Sequence, residues 1–203
     1  MSATVHSPEP VLARGPRRLP DWLTRRLPPW ALVVVLGGVY GLTLLPGAGY
    51  SPDTAEMQFS GRLLCVTHPT VNPTYLLLLH AFSRLFPVGS FAFVANLFSA
   101  LCSILACLAL RRLMLRLGVR SAIATATAIA FGLTPTFWRM SIVAEVYSLH
   151  ALFLALVADG LLRWRQTGER RALIVASGLY AASFGNHLTT VTLLPAFVFL
   201  LMA

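Results

Sequence analysis

Residues 91–112 read FAFVANLFSALCSILACLALRR: twenty positions without a charged side chain, closed by Arg111 and Arg112. Crossing the hydrocarbon layer of a bilayer takes about 20 apolar residues in helical conformation, so this stretch predicts a full-length transmembrane helix. Arg116 and Arg120 extend the basic cluster behind it. Working outward, the same punctuation recurs. Apolar runs at about 30–45, 121–138, 141–162, 172–184 and 190–203 are separated by breakers or arginines, and Arg163, Arg165, Arg170 and Arg171 close the run at 141–162. The expected fold class is therefore all-α, a polytopic membrane helical bundle.

Composition agrees. Of 203 residues, 57% are hydrophobic and 11% charged, and the mean hydropathy is +0.73. All sixteen basic residues are arginine, and the formal net charge is +9. A pI near 10.7 fits nucleic-acid binding only if the charge forms a patch; here it flanks apolar spans, the pattern of cytoplasmic loops. Cys102 and Cys107 lie inside an apolar span as small hydrophobes, and Cys65 stands alone, so no disulfide framework is expected. No cleavable signal is legible, and the first span is expected to serve as an uncleaved anchor.

Residues 1–29 read as a disordered, Arg- and Pro-rich cytoplasmic tail, followed by a membrane module over 30–203 with an outer loop at 46–90. Thirteen of the sixteen arginines fall in the tail and the two Arg-rich loops. These share the cytoplasmic side only if the short apolar run 74–86 stays out of the membrane. It is bounded by Pro73 and Pro87 and carries His80 and Arg84, which suits an interfacial helix. The N-terminus is then inside, and Asp53, Glu56 and His68 face outward, with Glu145 and His187 near the same face. The last apolar run reaches Ala203 without flanking charge, so the chain is expected to be a fragment of a longer protein.

Acid is scarce: Asp and Glu total seven, and two of them lie in Ser51-Pro-Asp-Thr-Ala-Glu56. Asp53 and Glu56, three apart, share a helix face. One reading is structural, with Ser51 as N-cap, Pro52 at the first helical position and acids complementing the helix dipole. The other is chemical, with one carboxylate a general base and the other positioning substrate or a cation. The two are compatible. Glu145 is expected one turn inside an apolar helix, where a carboxylate is costly and faces a bundle interior or cavity. Ser141, Glu145 and Ser148 would form a polar stripe, with Arg139 as the alternative partner for Glu145. Asn186, His187 and Thr190 would share another helical face, and a histidine there also fits an interfacial role. Arg62, Arg84 and Arg139 are the outer arginines; a guanidinium there suits a phosphate, or snorkels, as expected for Arg84. Asp159 is expected to pair with Arg163. His150 has no partner legible in the sequence. Asp53, Glu56 and His68 are side-chain types that hold a divalent cation, but their spacing is not diagnostic, and the cofactor is left unknown.

The arrangement resembles the N-terminal part of a GT-C type glycosyltransferase, and more narrowly the protein O-mannosyltransferase family of transmembrane protein 260, which includes many bacterial members. Asp53-Thr-Ala-Glu56 stands where that family has Asp-Ser-Gly-Glu, and His68-Pro-Thr-Val-Asn-Pro-Thr-Tyr75 where it has His-Pro-Pro-Gly-Tyr-Pro-Leu-Tyr. Ala144-Glu-Val-Tyr-Ser-Leu149 is unchanged, and Gly185-Asn-His187 recurs. Thr70, Val71 and Asn72 depart from the pattern.

The resemblance covers roughly residues 30–203. It implies a GT-C-like module in a bacterial plasma membrane, using a polyprenyl-phosphate-linked sugar donor and a hydroxyl acceptor, such as a protein Ser or Thr. Asp53 would be the general base of an inverting transfer, with Glu56 beside it, and Glu145 would orient a donor hydroxyl or a cation. Arg62, Arg139 or His187 would stabilise the departing phosphate; His68, Tyr75, Tyr147 and Asn186 complete the expected substrate contacts. Two other classes remain open: a transporter or flippase-type subunit with Glu145, His150 and His187 on a proton path, and an inactive truncated membrane fragment.

Overall fold

The structure, a computed structural model, describes residues 27–67 and 72–202. The expected tail falls almost wholly outside them, as does His68. Among the described residues the regular structure is entirely helical. The helices are α1 (Pro29–Thr43), α2 (Pro52–Leu63), α3 (Pro73–Leu85), α4 (Phe91–Arg116), α5 (Ser121–Gly132), α6 (Pro135–Ser141), α7 (Val146–Thr167) and α8 (Arg170–Phe184). A 3-10 turn, Leu188–Leu193, then leads into α9 (Leu194–Met202). Proline opens α1, α2, α3 and α6, where its missing N–H costs nothing and its fixed φ suits the first turn. Ser90 caps α4 by accepting from the Phe93 amide at 3.1 Å, and Gly168, at φ 69°, ends α7 in the left-handed conformation.

By length and composition, α4 and α7 are long and apolar enough to cross a membrane; α1, α5 and the Leu188–Met202 segment are shorter apolar helices. α4 is the central element. Its buried positions include Ala95, Ser99, Ala100, Ser103, Ala106 and Cys107, small side chains that let neighbouring backbones approach closely. One face packs on α1 and α5 around Leu32, Leu36, Tyr40 and Ala128. The other meets α2, α3 and α7 around Met57, Tyr75, Leu79, Leu149 and Phe153. α8 lies against α7, where a Cβ on Gly160 would stand 2.9 Å from the Ala176 methyl.

Three expectations are corrected. The apolar run 121–138 is two helices, because Pro135 removes a backbone donor and disfavours helical backbone before it. The run 141–162 is likewise interrupted: α6 ends at Ser141 and α7 starts at Val146. The amides that would continue the helix are taken by α4, Ala144 N–H by Asn96 Oδ1 at 2.9 Å and Glu145 N–H by Ser99 Oγ at 3.2 Å. Ser141, Glu145 and Ser148 therefore do not form one helical stripe. Asp159 pairs with Arg112 at 3.0 Å and with Arg116, both on α4, while Arg163 pairs with Glu169 at 2.6 Å.

Candidate functional site

The break between α6 and α7 puts Glu145 at the N-cap of α7 in extended conformation, not one turn inside a helix. Its carboxylate reaches α2, where Thr54 Oγ1 donates to Oε1 at 3.0 Å. The segment is anchored from several sides. Leu45 N–H donates to the Ile142 carbonyl at 3.1 Å, and the Ser148 hydroxyl donates to the Met140 carbonyl at 3.1 Å.

Below it lies a buried polar hub. Asn96 Oδ1 accepts from Ala144 N–H and from Gln58 Nε2 at 3.0 Å, while its Nδ2 donates to the carbonyls of Leu45 at 2.8 Å and Gly47 at 3.0 Å. Gln58 Oε1 accepts from Gly49 N–H at 3.1 Å. All four hydrogen-bonding positions of the Asn96 amide are thus used, and they join the 45–49 loop, α2 and the break into one unit.

Three cavities open around this break. One of about 140 Å³ is lined by Asp53, Met57, Asn72, Glu145, Val146, Tyr147 and His187. A second, about 450 Å³, has Tyr50, Ser51, Thr54, Arg139, Met140 and Glu145 on its walls. The third, about 390 Å³, is lined by Phe131, Phe137, Met140 and Tyr147 with Thr134 and Thr136. Glu145 is shared by the first two, Met140 by the second and third, and Tyr147 by the first and third. Burial pushes the Glu145 carboxyl above the ordinary carboxylate range; the Thr54 hydrogen bond opposes this, and the charge of nearby Asp53 adds to it.

The structure thus brings Asp53, Glu145, Tyr147 and His187 together from three distant stretches of chain. Ser51 is the N-cap of α2 and Pro52 its first residue, so the structural reading of this segment holds alongside its place on the cavity wall. Asp53 is exposed and Glu56 half-buried one turn further along α2. Arg139 is exposed on the second cavity. Arg62, exposed at the end of α2, stands over the Phe91 ring at 5.6 Å. Tyr75 and Asn186 are fully buried and line none of the three cavities. The Tyr75 hydroxyl lies 3.4 Å from Ser99 Oγ, and Asn186 Nδ2 donates to the Val146 carbonyl at 3.2 Å. Asn186, His187 and Thr190 do not share a helical face: a turn follows α8, and His187 is the N-cap of the 3-10 segment. Among the described residues no group of three His, Cys, Asp or Glu side chains converges on a common metal position.

Sequence reasoning missed Thr54, Asn96 and Ser99. Asn96 and Ser99 sit in an apolar helical run with no motif, Thr54 lies between the two acids of a motif that drew attention to its carboxylates, and only burial of a polar side chain marks the three.

The quoted blocks Asp53–Glu56, Ala144–Leu149 and Gly185–His187 contribute residues to the wall of the first cavity. The family model described as the Protein O-mannosyl-transferase TMEM260 N-terminal domain matches residues 53–203, and this chain belongs to that family. Protein O-mannosyl-transferase TMEM260 of Mus musculus is 31% identical over 156 residues, covering 74% of this chain and 22% of that protein. The chain therefore spans about a fifth of the length of that curated relative. No solved structure matches.

Proposed function

We propose that the chain is the N-terminal part of a GT-C type membrane glycosyltransferase. It moves a sugar from a polyprenyl-phosphate donor to a hydroxyl acceptor, a protein Ser or Thr, as the name of its mouse relative suggests. In this reading residues 30–203 form one polytopic module with the N-terminus in the cytoplasm and the carboxylates on the outer face. The observation that carries it is the adjacency of the three cavities. An apolar cavity lined by Phe131, Phe137 and Met140 shares the walls Met140 and Tyr147 with two compartments holding Arg139, Asp53 and Glu145. A lipid-linked sugar has the same sequence of chemistry: hydrocarbon, anion, polyol.

Asp53, exposed at the rim, acts as general base on the acceptor hydroxyl, with Glu56 on the same face of α2. The deprotonated oxygen attacks the anomeric carbon from the side opposite the phosphate, which inverts the centre and releases lipid phosphate. That leaving group needs charge stabilisation, supplied by Arg139 and by an N–H of His187. Glu145, held by Thr54, hydrogen-bonds a sugar hydroxyl.

The test is sugar transfer from a polyprenyl-phosphate donor to a Ser/Thr peptide, comparing the parent with Asp53→Asn. Loss of general-base assistance lowers kcat about 10²–10⁴-fold. Full activity in Asp53→Asn removes the base assignment, and absence of transfer by the whole enzyme that carries this part, in a reconstituted membrane, removes the function.

A further inference from the structure

His187 sits in a packed cluster rather than alone on the cavity wall. Its ring centroid is 5.5 Å from that of Tyr147 and 5.1 Å from that of His150. Thr189 lies between the two histidines, its Oγ1 2.7 Å from His187 Nδ1 and 3.2 Å from His150 Nε2. The backbone N–H of Thr189 also points at His187 Nδ1, at 3.3 Å.

One arrangement of protons satisfies these contacts. A backbone amide only donates, so His187 Nδ1 carries a lone pair. The hydroxyl oxygen 2.7 Å from that same nitrogen would face lone pair against lone pair unless it too donates, so the Thr189 hydroxyl proton goes to Nδ1. That oxygen is then left as acceptor toward His150, whose Nε2 carries the proton. The His150 Nδ1, buried and without a partner among the described residues, is in the same arrangement the bare lone pair rather than a stranded N–H. The sequence His150 Nε2–H, Thr189 Oγ1–H, His187 Nδ1 therefore runs in one direction. In neutral His187 the remaining proton lies on Nε2, and His187 lines the carboxylate cavity.

We propose that Thr189 and His150 are positioning residues that hold His187 as its Nε2–H tautomer, so that its free ring nitrogen donates to an anionic oxygen of the sugar donor's phosphate. The proton arrangement follows from the geometry; the identity of the acceptor rests on the function proposed above. A neutral imidazole with an accepting Nε2 would oppose a phosphate lone pair, so the relay sets the sign of this contact. Neither Thr189 nor His150 touches the substrate in this scheme.

The experiment is long-range ¹H–¹⁵N correlation on the full chain, labelled with ¹⁵N-histidine, in lipid nanodiscs near neutral pH. His187 in the parent is expected to show a protonated Nε2 and a bare Nδ1. Thr189→Val and His150→Phe are expected to raise the Nδ1–H population, and Thr189→Ser to restore the parent pattern. Titration with a polyprenyl monophosphate is expected to show affinity lowered roughly fivefold in Thr189→Val, the loss of one hydrogen bond, and recovered in Thr189→Ser. A protonated Nδ1 in the parent, or tautomer populations unmoved by both Thr189→Val and His150→Phe, overturns the relay. Tautomers that shift while phosphate affinity stays at the parent value overturn its role in donor binding. Parent tautomers as expected, with no transferase activity in the whole enzyme that carries this part, would uphold the relay and defeat the enzyme reading.

Discussion

Thr54 and Glu145 are 91 residues apart in the chain, yet the threonine hydroxyl donates to the glutamate Oε1 at 3.0 Å inside the protein. Thr54 is 1% exposed and Glu145 8%, so each is the other's substitute for water. Thr54→Val keeps the shape and removes the donor, leaving a buried carboxylate oxygen unsatisfied, which costs about 1–3 kcal/mol. Thr54→Ser is expected to stay near the parent. Denaturant or thermal unfolding in detergent, comparing the two variants, checks this; equal stability would mean that the hydroxyl does not support the carboxylate.

The pH dependence of stability has a definite sign at Glu145. Burial raises its proton affinity in the folded state, so the folded chain holds a proton that the unfolded chain releases. Stability from this group is greatest below the ordinary carboxylate range and declines as pH rises from there through the raised folded-state value. Glu145→Gln is expected to flatten that slope, with the largest gain over the parent on its alkaline side. Thermal midpoints measured across that pH range would show whether the two curves diverge with rising pH.

Asn96→Leu is expected to be among the most damaging isosteric changes. It strands Ala144 N–H and the Leu45 carbonyl and leaves Gln58 Nε2 and the Gly47 carbonyl only their mutual 3.4 Å contact, and each buried group left unpaired costs about 1–3 kcal/mol. Asn96→Asp keeps the acceptor side but turns a carboxylate oxygen toward the Leu45 and Gly47 carbonyls, so it is expected to be no milder than Asn96→Leu. Expression yield and monodispersity in detergent give the first readout, and unfolding midpoints the ranking.

Gly185 is required by close approach. Its carbonyl accepts from Thr74 N–H at 2.8 Å, and a Cβ there would lie on the Thr74 hydroxyl, which donates to the Ala182 carbonyl at 2.9 Å. Gly185→Ala is therefore expected to separate α3 from the turn after α8, at a cost of about 1–3 kcal/mol. Combining it with Thr74→Ala should recover much of the cost, because the other neighbours of that Cβ, Pro73 Cγ and Thr74 Cβ, stand at 3.4 Å. A double variant restored to parent stability would place the whole cost on the hydroxyl.

Much of the fold was legible because it is local. Apolar length located α4 and most of α7, Pro73 bounded α3, and the Ser51-Pro52 pair opened α2 where expected, whereas Pro135 at the start of α6 went unread. The break before Glu145 was hidden because its cause lies 46 and 48 residues away, on Ser99 and Asn96. Asp159 shows the same limit: spacing along one helix nominated Arg163, while packing between α4 and α7 supplied Arg112 and Arg116. For the site, motif blocks nominated Asp53, Glu145, Tyr147 and His187, which do meet. The blocks also nominated Asn186 and Tyr75, whose burial makes them supports of the surrounding helices. His150 had no visible partner because Thr189, 39 residues on, is reached only through the fold.

Asn96 has a mechanical consequence. With every valence of its amide engaged, it behaves as a rivet through the 45–49 loop, α2 and the 142–145 break. The loop beside Gly49 and the backbone before Glu145 are thereby tied through one side chain, so displacing either one breaks hydrogen bonds that hold the other.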